Sequence, residues 1–298
     1  FMVRENRELG FGIGDVVSTT DYLIENECSL EEFKEKHPNI PVVCYINSTA
    51  EIKANCDICC TSSNAIEVVK SLNAPKVLFV PDTYLGKYVQ TKLNNVEVIT
   101  FNGFCPTHLR IRVDEISNAR KNYPNAPILI HPECHHDVVK LADFVGSTKE
   151  IMEFAKKSDK KQFIIATEKG VVDRLNRDSK NLGWGKEFIL IDENIICPSM
   201  KMNSLEKIYD TLLNEKNEIT IADDILLNAQ KCIKKMLDLE KVLCYNLSAI
   251  ITHVECFERS AFKKCPLFKL CGGKTKEEKI MPVVSMKQLL EAGVHFGH

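Results

Sequence analysis

The chain repeats itself. A shift of 86 positions aligns Pro41 with Pro127, Tyr45 with His131, Asn47 with Glu133, Asp57 with Asp143, Ser62 with Thr148, Lys70 with Lys156 and Asp82 with Glu168. No gap is needed over about 45 residues, which marks a duplicated structural unit. Two copies must use the same elements, so a reading of one constrains the other. Short apolar runs at 41–46, 57–61, 76–80, 96–101, 127–131, 161–166 and 187–191 predict strands. Several lack polar alternation, as strands covered on both faces should. Between them AIEVVKSL, YLGKYVQTKL, RVDEISNARKNY, HDVVKLA, TKEIMEFAKK and GVVDRLNRD have helical amphipathicity. Strands alternating with helices imply parallel sheets. The expected fold is therefore α/β: repeated three-layer αβα units with short parallel sheets, one over 28–112 and one over 113–240. Residues 1–27 and the tail 241–298 are left unassigned.

Composition narrows the function classes. A net charge of −2 gives no electrostatic case for nucleic-acid binding. No run of about 18 apolar residues is present, so no membrane span is expected. The opening FMVRENRELG is charged and does not read as a secretion signal, and its first residue is Phe. Thirteen cysteines, an odd number in a long chain, argue against a secreted disulfide framework and point to a cytoplasmic protein. Most are expected to pack as small hydrophobes. Cys44, Cys59 and Cys60 lie on predicted strands and read as core despite the Cys56-x-x-Cys59-Cys60 spacing. Cys134 is expected to line the site beside Glu133, and His135 and His136 to be solvated at a helix start.

The repeat places Tyr45/His131 and Asn47/Glu133 at the carboxyl ends of the first strands. Ser62 and Thr148 follow the second strands. Ligands of parallel sheets bind beyond strand carboxyl ends, and helix starts favour anions. Two facing units would direct all six side chains at one anionic ligand. The plainer alternative is that Ser62 and Thr148 only cap helices. Cys105 and Cys197 each sit in a loop after a strand, before proline, which suits a ligand better than a strand cysteine. Clusters of the [4Fe–4S] type are held by thiolates, and three such ligands leave one iron open as a Lewis acid.

These residues carry a resemblance. Val43–Ala54, Asp57–Ala65, Phe79–Asp82, His131–Cys134, Gly146–Thr148, Ala166–Gly170 and Cys197–Lys201 closely resemble quinolinate synthase motifs, in order and spacing. The resemblance implies a pseudo-threefold set of α/β units around one [4Fe–4S] cluster, two of which match this chain. It implies condensation of iminosuccinate with dihydroxyacetone phosphate to quinolinate in NAD biosynthesis. It also implies an aspartate-oxidising enzyme as the partner that supplies the iminosuccinate. Cys105 and Cys197 resemble two of the three cluster ligands. Tyr45, Asn47, Ser62, His131, Glu133 and Thr148 resemble substrate contacts, with His131, Glu133 and Tyr45 as the catalytic groups.

The departures are equally specific. The family's first unit, with a substrate-facing His, Tyr and Ser and the first cluster cysteine, finds no match. That cysteine aligns near Thr19, with Cys28 as the nearest substitute. The last residues, Met281–His298, resemble the start of the second protein of the bacterial small ribosomal subunit. The spacing Cys256-x8-Cys265-x5-Cys271 is no recognisable metal signature. Three readings follow: a quinolinate synthase inactive as this polypeptide, a non-catalytic small-anion-binding remnant, or a chimeric reading frame.

Overall fold

The computed structural model describes residues 29–254, with side chains through Glu240. Eight short strands form two parallel four-stranded sheets flanked by helices. The first sheet holds β1 (Val42–Tyr45), β2 (Ile58–Cys60), β3 (Lys76–Val80) and β4 (Glu97–Thr100), in the order β2-β1-β3-β4. The second holds β5 (Ile128–Ile130), β6 (Phe144–Val145), β7 (Gln162–Ala166) and β8 (Glu187–Leu190), in the matching order β6-β5-β7-β8. Each sheet comes from one copy of the repeat. Every residue of β1, β2 and β5 is buried, as are all but the first of β3 and β7.

The pairing keeps the shift of the sequence. Val43 lies opposite Ile58 and Leu129 opposite Phe144, each partner 86 positions from its counterpart. The copies then diverge. Lys76 pairs with Glu97, but Gln162 pairs with Glu187, so that crossover is four residues longer in the second copy. The extra length goes into helix: α4 (Thr83–Thr91) has 9 residues and its counterpart α9 (Lys169–Leu182) has 14.

The other helices in the order of the chain are α1 (Leu30–Glu35), α2 (Ala50–Ala54), α3 (Ala65–Ser71), α5 (Pro106–Leu109), α6 (Val113–Asn122), α7 (His136–Val139), α8 (Thr148–Lys157), α10 (Pro198–Lys201), α11 (Leu205–Asn214) and α12 (Asp223–Val254). Local chemistry explains their starts. Ser29 with Glu32, and Ser147 with Glu150, form reciprocal capping boxes on α1 and α8. Asp82 and Glu168, partners in the repeat, cap α4 and α9 through their carboxylates. Gly183, at φ 68°, ends α9 in the left-handed conformation that glycine adopts without steric cost.

The chain divides into two compact units, Phe1–Val42 with Asn73–Ile196, and Val43–Leu72 with Cys197–His298. In the first, the second sheet is covered on both faces. Ile128, Ile130, Ile164 and Ala166 pack with Ile111, Ile116, Val138 and Ile195. Leu129, Phe163 and Ile165 pack with Ile151, Leu175 and Phe188. Alternate residues of each strand thus serve opposite layers. In the second unit, α12 lies on α2 and β2. Its buried stripe is Ala229, Cys232, Ile233 and Met236, at helical spacing. This helix runs past position 240, where the sequence reading had left the chain unassigned. Helix α11 turns an equally regular stripe outward: Leu205 is 82% exposed, Leu212 75% and Tyr209 66%. Thr19, Cys28, the Cys256–Cys271 spacing and Met281–His298 lie outside the described residues.

Candidate functional site

His131 follows β5, and its N–H donates to the Ala166 carbonyl at 3.2 Å. The turn after it brings the Glu133 N–H to His131 Nδ1 at 3.3 Å. Both side chains are fully buried. A third buried group joins them. His108, on the one-turn helix α5, stacks on the His131 ring with centroids 4.6 Å apart. Its Nδ1 lies 2.8 Å from Glu133 Oε2, and its Nε2 lies 2.8 Å from Thr167 Oγ1. The result is a carboxylate–imidazole–hydroxyl series inside the protein. A carboxylate on Nδ1 fixes the proton there and leaves the Nε2 lone pair for the hydroxyl.

Cys105 belongs to the same cluster, with its Sγ 3.2 Å from His108 Nδ1. One sulfur, one imidazole nitrogen and one carboxylate oxygen, from Cys105, His108 and Glu133, lie within 4.8 Å of one another and could hold a metal ion. Although Cys105 keeps some exposure, the atoms packed around its sulfur push the thiol pKa well up, and the charge of Glu133 adds to that. Asp82 holds this loop. Its Oδ1 accepts the Leu85 N–H at 2.7 Å and its Oδ2 the Cys105 N–H at 3.1 Å. Burial, then the nearby charge of Glu133, pushes its carboxyl up to about 8. Gly103 permits the close approach of the two segments. A Cβ there would stand 2.4 Å from the Pro81 carbonyl oxygen.

Thr148 is in the same unit. It is the first residue of α8, whose N-cap is Ser147. Its Oγ1 is buried without a hydrogen-bond partner among the described residues. Tyr45, Asn47, Ser62 and Cys197 belong to the other unit. Tyr45 ends β1 and is buried. The Asn47 Oδ1, two residues on, is also buried without a hydrogen-bond partner among the described residues. Ser62 is half-buried in the turn before α3, whose N-cap is Asn64. The capping alternative therefore holds for neither Ser62 nor Thr148.

Cys197 and Cys105 share a backbone conformation: φ −82°, ψ 111° and φ −83°, ψ 112°. Each is the N-cap of a four-residue helix with proline at its start. The loop-proline pattern marks the two cysteines in the sequence but not His108. The one available signal was its place three residues after Cys105, which puts both side chains on one face of a helical turn.

Residues 23–238 match the protein family described as Quinolinate synthetase A protein. A quinolinate synthase of Alkaliphilus metalliredigens is 46% identical over 211 residues, 71% of this chain and 68% of that protein. One of Caldicellulosiruptor bescii is 40% identical over 232 residues, 78% and 73% of the two chains. One of Clostridium novyi is 44% identical over 206 residues, 69% and 67%. The chain belongs to the quinolinate synthase family. The resemblance read from the motifs is borne out, and the family match spans both sheets and all eight expected site residues. The family is one of enzymes. No helix among the described residues is long and apolar enough to cross a membrane.

Proposed function

We propose that this chain carries the substrate-binding and proton-transfer groups of quinolinate formation. In that reaction iminosuccinate and dihydroxyacetone phosphate condense, releasing phosphate and two waters. The observation that carries this reading is that each unit holds a buried polar atom with no hydrogen-bond partner among the described residues, Asn47 Oδ1 in one and Thr148 Oγ1 in the other. Such atoms cost free energy in the empty protein unless a ligand completes them. Each stands, within its own unit, at a strand end or helix start from which the repeat anticipates contact with an anion, and Ser62 and Tyr45 are further expected contacts. Thr148 also opens a ten-residue helix, whose first N–H groups favour a carboxylate or phosphate.

Glu133, His108 and Thr167 would move protons during dehydration and ring closure. The carboxylate orients the imidazole, and Nε2 exchanges a proton with the hydroxyl or with substrate in its place. His131, stacked on His108, holds the ring and faces the same chemistry. Cys105 and Cys197 suit two ligands of a [4Fe–4S] cluster. Their matched backbones put loop sulfurs at helix starts, and burial, which pushes the Cys105 thiol up, means that a bound iron would have to displace its proton. The cluster would supply a Lewis acid. An aspartate-oxidising enzyme in the cytoplasm is the expected source of the imine.

Two family-matched thiolates do not complete a set of three. The polypeptide of residues 1–298 by itself is therefore expected to hold no stoichiometric cluster and to make no quinolinate. The test is anaerobic reconstitution with iron and sulfide, then a quinolinate assay, with calorimetric binding of a small dicarboxylate and of phosphate in parallel. Anion binding lost in Thr148→Val supports the site. Full cluster and turnover would overturn the claim of inactivity, and no anion binding would overturn the site.

A further inference from the structure

The unit of Val43–Leu72 with Cys197–His298 holds a second group of cysteines, which quinolinate formation leaves unused. Cys59, on β2, is fully buried, and so is Cys232 on the inner stripe of α12. Their sulfurs lie 3.3 Å apart, although the residues are 173 positions apart in the chain. Cys44 of β1, opposite Cys59 in the sheet register, stands beside this pair, with Cys56 on its other flank. Cys56 is half-buried and is the least buried of the four. Two plainer accounts exist. Buried thiols often only fill space, and thiols in number can hold a soft metal. Among the described residues, however, no three cysteines bring their sulfurs within 4.8 Å of one another, so no preformed metal cage exists here. Simple packing does not call for a row of thiols running from a half-buried residue to a buried contact.

We propose that Cys59 and Cys232 are a reversible disulfide site, by which a low-molecular-weight disulfide oxidant staples α12 to β2. A bonded pair needs sulfurs about 2.05 Å apart, so the side chains must close by roughly 1.2 Å. The thiols reduce one molecule of oxidant to two small thiols, which take up both protons, and one S–S bond forms. The route runs through the row. Cys56 exchanges first and becomes a mixed disulfide. The Cys44 sulfur attacks that of Cys56 and expels the small thiolate. Cys59 then attacks Cys44 and releases Cys56, and Cys232 attacks Cys59 and releases Cys44. The order suits the environment. The neighbouring thiols of Cys56 and Cys59, then Ser48 and the Lys53 ammonium, lower the Cys44 thiol, while the Cys232 and Cys44 thiols and burial raise that of Cys59, so Cys44 is the better leaving group in the last exchange. The Lys53 ammonium is fixed by the Ser48 carbonyl at 2.5 Å. Cys60, the next residue of β2, points to the opposite face and serves as an internal control.

This inference does not depend on the proposed function. The test uses the reduced full chain, incubated anaerobically with oxidised glutathione, quenched with N-ethylmaleimide in denaturant, digested with trypsin and mapped by mass spectrometry. The expected product joins the peptide between Lys53 and Lys70 to the tripeptide Cys232–Lys234, with fragment ions assigning the link to Cys59. Dithiothreitol should reverse it. Closing so long a loop should raise Tm by roughly 5–15 °C. Cys232→Ala should give neither bond nor shift, and if that variant fails to fold, the map of the unchanged chain decides alone. Recovery of Cys59 and Cys232 as alkylated thiols would overturn the proposal. So would oxidation that stops at a Cys44–Cys56 bond.

Discussion

The Thr148 hydroxyl is buried without a hydrogen-bond partner among the described residues, a cost that substitution makes measurable. Replacing Thr148 with valine keeps the shape and removes the unsatisfied oxygen. Thr148→Val should therefore stabilise the ligand-free chain by about 1 kcal/mol in urea unfolding. The same change should weaken dicarboxylate or phosphate binding, so stability and affinity should move in opposite directions. Asp82 gives a second residue-scale test. Its carboxyl is pushed up to about 8 in the fold, against about 3.9 in an unfolded chain. Between these values the folded state keeps a proton that the unfolded state gives up, so stability falls as pH rises from about 4 towards 8. Asp82→Asn should flatten this slope, by on the order of a few kcal/mol across the window. Unfolding of the metal-free chain at pH 5 and pH 8 checks the sign.

Among the elements, the turn that carries Cys105 is the least tolerant. In Gly103→Ala the new methyl would meet the Pro81 carbonyl oxygen at 2.4 Å. A loss of roughly 1–3 kcal/mol is expected, since backbone cannot give way as a flexible side chain can. The exposed stripe of α11 should behave in the opposite manner. Leu212→Glu should change stability by no more than about 0.5 kcal/mol, while lowering binding of a hydrophobic dye. Elements with a strong local pattern were legible in the sequence. The strand runs around Val43, Leu78, Leu129 and Ile164 had nowhere to go but a doubly covered sheet, and TKEIMEFAKK begins and ends where α8 does. Strand β6 is two residues long and escaped a search for apolar runs, although the repeat had placed a second strand there. Helix α12 was missed because its buried stripe relies on Ala229 and Cys232, which give a weak hydrophobic signal. His108 was illegible for a different reason: its role comes from Glu133, Thr167 and His131, which are near it only in space. Ser62 and Thr148 matched in the alignment, yet α3 starts three residues after Ser62 while α8 starts on Thr148.

At the scale of the whole molecule, the unit that contains β1 and β2 is built from two stretches of chain far apart in sequence. Its buried thiols depend on the later stretch. A polypeptide ending at residue 222 lacks α12, and its Cys59 should be alkylated by iodoacetamide, which cannot enter disulfide exchange, within minutes. The full chain should hide that thiol until denaturant is added, and equal reactivity in both would refute the dependence. The same arrangement has a consequence during synthesis. A ribosome adding roughly 5–20 residues per second releases β2 about 9–35 s before the inner face of α12 exists. During that interval Cys59 and its apolar neighbours lack the cover of α12, so a nascent-chain holdase should be crosslinked most strongly to intermediates that have passed Leu72 and not yet reached Met236.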